Sequence, residues 1–207
     1  MICTVEIMLP PVDMREVYRY MGISGEADLD LRALVDKALV EMLPDLTPRA
    51  CFAELDVSID GDTVTIGGRR VRSRSLSRHL SGASSVLVFA ATVGYAPDRL
   101  VRKYERLSPA IALAADALGS ERAEAACDTL SATLCQDFGA VGCRLTRRFS
   151  PGYGDLPLEF QRDMFDLLTP ERRIGVTLGE SFLMTPTKSV TAIIGIIPDP
   201  VNTDRGA

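Results

Sequence analysis

Histidine occurs once in the 207 residues, as His79. A Ser-His-Asp triad would have to use it, and it sits in a run of arginines and serines, so it reads as a surface side chain. A histidine-rich metal site is excluded by count. No G-x-x-x-x-G-K-S/T loop and no G-x-G-x-x-G fingerprint is present, which removes the common nucleotide-binding signatures. The five cysteines, Cys3, Cys51, Cys127, Cys135 and Cys143, include no C-x-x-C pair, so no zinc knuckle or dithiol motif is expected. Cys127 and Cys135 lie eight residues apart on a predicted helix and are expected to share a face. The cysteines read as small buried hydrophobes in a reducing compartment, with a regulatory thiol as the alternative. No apolar run approaches the length of roughly 18 residues that suggests a membrane span. The first eleven residues hold Glu6 and no basic stretch, so they do not read as a signal peptide. A cytoplasmic location is the expectation. The net charge of −5 gives no reason to expect nucleic acid or anionic lipid as a partner.

What is present is the balance of an ordinary globule, 46% hydrophobic and 25% charged. The length suits one domain over residues 1–207. Helices are predicted over Asp13–Met21 and Asp28–Met42, the second on a 3.6-residue apolar period that Pro44 stops. Phe52–Ile59 alternates as a half-buried strand and turns at Gly61-Asp62 into Thr63–Ile66. Ser84–Val93 is a continuous apolar run, expected to be a central strand. Helices are predicted over Ala96–Leu107 and Ser108–Leu118, and a longer one after Gly119, with Ser120 as N-cap, reaching Phe138. Arg144–Asp155 reads as a loop, Glu159–Leu168 as a short helix, and Ile174–Leu178 and Ser189–Ile197 as the last strands. Residues 202–207 read as a frayed tail. The mixture favours an α+β fold with a mostly antiparallel sheet.

The most unusual local feature is Arg148-Phe149-Ser150-Pro151-Gly152-Tyr153. Arg148 offers a planar fork for a carboxylate. Gly152 lets backbone approach a ring closely. Tyr153 offers a π face to a cation and a hydroxyl. Such a loop suits a small zwitterionic ligand, and a structural turn with an exposed arginine is the competing reading. Glu124 sits in a charged helix with Glu121 and Arg122, where a solvated face competes with a ligand role. Arg69, Arg70, Arg72, Arg74 and Arg78 form a basic cluster that reads as a solvated loop in preference to a docking patch. It holds no aromatic residue, which weakens a nucleic-acid role.

Arg148-x-x-x-Gly152-Tyr153 resembles the R-x-x-x-G-Y motif of the activation domain of cobalamin-dependent methionine synthase. Glu180-Ser181 with Met184, Pro186 and Ser189-Val190 resembles that family's E-S-x-x-M-x-P-x-x-S-V segment. Glu121 to Ala125 resembles the helix carrying a ligand-binding glutamate, which would be Glu124. From the residues alone, Glu180 and Ser181 read as a strand end and a turn. The clearest resemblance spans residues 84–197. It implies a single C-shaped α+β domain with a twisted antiparallel sheet and flanking helices. It also implies an S-adenosylmethionine site in which Arg148 pairs with the methionine carboxylate and Glu124 holds the ribose or the amine. Ser150, Pro151 and Gly152 would line the adenine, and Tyr153 would lie beside the sulfonium.

Three positions depart from the family pattern. No tyrosine follows Tyr153, a second glutamate falls on Gly142, and an early aspartate has only Asp13 as a candidate. These departures imply a more open pocket. The chain also lacks a D-x-H-x-x-G motif and a zinc-binding cysteine cluster. The resemblance therefore implies an accessory subunit of a methyltransferase, inactive alone. A cobalamin-binding methionine synthase lacking its own activation domain would be its partner, and a flavodoxin-like protein a possible electron donor. Reactivation of another corrinoid protein and non-catalytic sensing of S-adenosylmethionine are the alternatives.

Overall fold

A computed structural model describes residues 1–25 and 27–199 of the chain, and the tail expected over 202–207 lies outside them. The elements run β1 (Ile2–Glu6), α1 (Met14–Tyr20), α2 (Leu29–Met42), β2 (Arg49–Asp60), β3 (Thr63–Ile66), β4 (Arg69–Arg72), α3 (Arg74–His79) and β5 (Ser85–Thr92). They continue as α4 (Ala96–Tyr104), α5 (Pro109–Ala140), β6 (Cys143–Leu145), α6 (Phe160–Leu168), α7 (Pro170–Ile174), β7 (Thr177–Leu178), β8 (Met184–Thr185) and β9 (Ser189–Pro198). The fold is α+β. The main sheet has the order β4-β3-β2-β5-β9-β6, with β1 also paired to β2. Every pairing in it is antiparallel.

The apolar run around residue 88 becomes the central strand, as its composition dictates. β5 lies between β2 and β9 and is buried on both faces from Val86 onward. One face of the sheet packs Val86, Val88 and Ala90 against Phe160, Met164 and Leu168 of α6. The other packs Leu87, Phe89 and Ala91 against Ala126, Cys127, Leu130 and Leu134 of α5. The N-terminal half of α5 builds a third cluster with α1, α2 and α4. The long strand β2 is shared: Arg49 to Ala53 pairs with β1, and Val57 to Asp60 pairs with β3 across the turn at Gly61.

Several elements differ from expectation, each for a local reason. The two helices expected on either side of Gly119 are one 32-residue helix, α5. Gly119 is no breaker there. A Cβ at this position would stand 2.7 Å from Pro97 Cβ and 3.0 Å from Lys188 Cγ, so the glycine lets α4 and the residues before β9 approach α5. Ser120 is an interior residue that bonds back to the Asp116 carbonyl at 3.0 Å, not an N-cap.

The basic cluster from Arg69 to Arg78 is not a solvated loop. It forms β4 and α3, because Val71 and Leu76 are buried anchors among the arginines. Arg69 is paired with Asp163 and Asp166 of α6, at 3.6 and 3.2 Å. The expected loop over Arg144–Asp155 begins with β6, and its Phe149 forms a β-bridge to Ile193. The strand expected from Ile174 starts later, because Ile174 closes the short helix α7 and only Thr177 and Leu178 pair with β8. Cys127 and Cys135 do not share a buried face. Eight residues rotate a helix by about 80° beyond two full turns, so Cys127 is buried under the sheet and Cys135 is exposed.

Candidate functional site

The segment after β6 is fastened to the sheet and to α3 before it presents any side chain. Thr146 N donates to the Gly195 carbonyl at 2.9 Å, and Phe149 exchanges two hydrogen bonds with Ile193 at 2.9 and 2.8 Å. Ser150-Pro151-Gly152-Tyr153 then closes a turn through Tyr153 N to Ser150 O at 3.1 Å. Gly152 has φ of +89°. Proline second and glycine third, with that φ, is the pattern of a type II turn. The turn therefore accounts for both residues on backbone grounds. A Cβ on Gly152 would meet only Leu158 at 3.5 Å, so φ and not crowding demands the glycine.

α3 holds this segment at both ends. His79 is partly buried, and its Nε2 donates to the Arg147 carbonyl at 2.7 Å while its ring lies 5.0 Å from Phe149. It is thus an anchor and not a free surface group. At the other end, Asp155 accepts from Ser73 Oγ at 2.6 Å, Arg74 N at 2.9 Å and Ser75 N at 3.0 Å. Those bonds satisfy donors at the start of α3 that the helix cannot satisfy itself. They also hold the Asp155 carboxyl well below the usual carboxylate range, the Ser73 hydroxyl being the largest cause.

A carboxylate depressed in the folded state contributes stability that is fully present above its unfolded pKa of about 3.9. That contribution is lost as pH falls through the folded value. Asp155→Asn is therefore expected to unfold at a lower temperature than the parent near neutral pH, with the gap narrowing below about pH 4. Thermal unfolding followed across this range by circular dichroism checks it. A gap that stays constant with pH would show that the charge of Asp155 does not hold the segment.

Arg148 points from this fastened segment toward α5. Its Nη2 donates to Glu124 Oε2 at 3.1 Å and to Asp128 Oδ1 at 2.6 Å. Glu124, Asp128, Ser131 and Cys135 stand on successive turns of one face of α5. With Leu145, Thr146, Arg147, Arg148, Ser150, Tyr153 and Val190 they line a cleft of about 570 Å³. Four of the six residues expected at a ligand site thus meet in one cleft: Glu124, Arg148, Ser150 and Tyr153. Pro151 is buried behind the turn and Gly152 is exposed at its corner. Tyr153 stands at the rim, 67% exposed, with its ring 6.5 Å from that of Phe149. Burial pushes the nearby Cys127 thiol up to about 12, against the opposing pull of Arg148, so Cys127 remains a neutral packing group.

Asp128 was not singled out from the sequence. Its position one helical turn after Glu124 would have identified it, because residues four apart share a helix face. A second cleft of about 310 Å³ shares Glu124 and Asp128 with the first and is lined also by Pro10, Pro11, Asp13, Glu16 and Tyr20. Asp13 therefore stands close to the candidate site, where it caps α1 and pairs with Arg15 at 3.2 Å. Residues 10–13 are held against α5 by a buried pair. Arg122 bonds to Glu121 and to the Pro10 and Pro11 carbonyls, and Asp13 N donates to Glu121 at 3.1 Å. Gly142 occupies the turn after α5 with φ of +75°. Glu180 and Ser181 lie in the connection between β7 and β8, as the turn reading expects. Among the described residues, no helix is long and apolar enough to cross a membrane.

Residues 144–200 match the family model described as vitamin B12 dependent methionine synthase, activation domain. No curated protein matches the chain. Among solved structures the chain resembles one described as the MetH reactivation domain bound to AdoHcy. The TM-score is 0.74 at 18% identity, over 97% of this chain and 79% of that one. The arginine segment and the strand behind it thus match the activation domain of vitamin B12-dependent methionine synthase, and the chain as a whole has the fold of that reactivation domain.

Proposed function

We propose that the chain is a single-domain, S-adenosylmethionine-binding reactivation subunit for a cobalamin-dependent methionine synthase. The observation that carries this reading is the cleft in which Arg148 faces Glu124, with Ser150 and Tyr153 beside them. The ligand carries a carboxylate, an ammonium and a sulfonium, and the donor set suits all three. Arg148 receives the carboxylate. Glu124 holds the ammonium or a ribose hydroxyl. Backbone from Ser150 to Gly152 lines the adenine, and the ring face of Tyr153 favours the sulfonium. S-adenosylmethionine supplies an electrophilic methyl group that needs no general base. That chemistry matches a cleft lined by no histidine. The chain's own task is to hold the ligand in line with a cobalamin brought by the partner chain. A flavodoxin-like protein would supply the electron. The structural relative is described as holding AdoHcy, the demethylated form of the same ligand.

Calorimetry with S-adenosylmethionine, with S-adenosylhomocysteine as competitor, tests the binding. The chain is then added to a synthase lacking its own activation domain, whose cobalamin has decayed to the Co(II) state, together with an electron donor. Transfer of methyl label from S-adenosylmethionine to the cobalamin is expected. Absence of binding, with or without the partner, would remove the central claim. Transfer only to a different corrinoid protein would change the partner. Binding without any cobalamin-dependent consumption would make the chain a sensor.

A further inference from the structure

We infer that Asp128 is a built-in competitor for the ligand's carboxylate, holding Arg148 until the ligand displaces it. This rests on the ligand reading given above. A guanidinium offers two forks for bidentate pairing, one formed by Nε and Nη2, the other by Nη1 and Nη2. Nη2 belongs to both forks and carries two hydrogens. In this structure Nη2 donates to both Glu124 and Asp128. Neither fork is therefore complete for a third carboxylate. An incoming α-carboxylate must take one of the two positions, or settle for a single bond from Nε or Nη1.

Exposure decides which group yields. The Asp128 side chain is 72% exposed and that of Glu124 is 49% exposed. Asp128 can return to water at little cost, whereas Glu124 lies deeper and has a cationic group of the ligand to receive. Two carboxylates on one arginine also leave this trio with net charge −1. A neutral amide at position 128 would lower the repulsion met by an entering carboxylate. Asp128 thus tunes the affinity downward without touching the bound ligand.

The test uses two readouts on the whole chain. The first is the rate at which phenylglyoxal modifies Arg148, followed by peptide mass spectrometry without ligand. Asp128→Asn is expected to raise that rate and Asp128→Glu to leave it low. The second is titration with S-adenosylhomocysteine and with methylthioadenosine, which lacks the amino-acid portion. Asp128→Asn is expected to bind S-adenosylhomocysteine about two- to fivefold more tightly, the range of an exposed ion pair. Its affinity for methylthioadenosine should match that of the parent. An unchanged modification rate overturns the inference, and so does weaker binding of S-adenosylhomocysteine, which would make Asp128 a ligand contact. If the rate rises but S-adenosylhomocysteine protects Arg148 in neither protein, the counter-ion role stands and the carboxylate assignment under the proposed function falls.

Discussion

Arg122→Leu is expected to destabilise the fold by about 3–5 kcal/mol, the cost of breaking a buried ion pair from one side. Arg122 is 2% exposed and Glu121 5% exposed. Removal of the guanidinium strands the Glu121 carboxylate and leaves the Pro10 and Pro11 carbonyls without their donor. Against a total stability of about 5–15 kcal/mol for a typical domain, that is a large fraction. The double variant Glu121→Gln with Arg122→Leu is expected to recover part of the loss, because a neutral pair carries no uncompensated charge. Urea denaturation of the single and double variants measures both values. A cost for Arg122→Leu below about 1 kcal/mol would place the pair in a wetter setting than the structure gives.

Arg148→Ala is expected to lose most of the affinity for S-adenosylmethionine, and Arg148→Lys should not restore it. A charge-assisted contact of this kind contributes about 1.5–3 kcal/mol, or roughly 10- to 150-fold in affinity. Lysine is a point charge and cannot copy the planar fork. Stability should move little, because the carboxylates paired with Arg148 are 49% and 72% exposed, and pairs open to water on one side contribute on the order of 1 kcal/mol. Calorimetry on variants that keep the parent circular dichroism spectrum separates the two effects. Equal affinity in the parent and in Arg148→Ala would reduce the segment to a structural turn.

Some of this architecture is legible in the sequence because local pattern and tertiary role agree. The apolar run of β5 could only be central, and the period of α2 could only be amphipathic. Legibility fails where a local signal is overruled by a neighbour distant in sequence. Gly119 looks like a helix end until Pro97 packs against it. Val71 and Leu76 are masked by the arginines around them, although each is an ordinary core residue. The candidate site shows the same division. Arg148, Ser150, Tyr153 and Glu124 carry chemistry that their own types announce. Asp155 and His79 fasten the arginine segment only through partners 82 and 68 positions away in the chain. No local pattern could have named them.

The pairing of β9 with β5 bears on modularity. The segment that matches the family model, residues 144–200, contains β9, the arginine turn and all of β6 but Cys143. It contains neither β5, which pairs with β9 along Ser189 to Ile196, nor the turns of α5 that bear Glu124 and Asp128. Excised alone, it would present one long strand with an open edge and an arginine without its counter-ions. Such strands are marginal in water and prone to pair with other chains. The recognisable motif is therefore not a transplantable unit. A graft meant to move the site into another scaffold has to begin no later than the strand at Ser85 and carry the whole long helix with it.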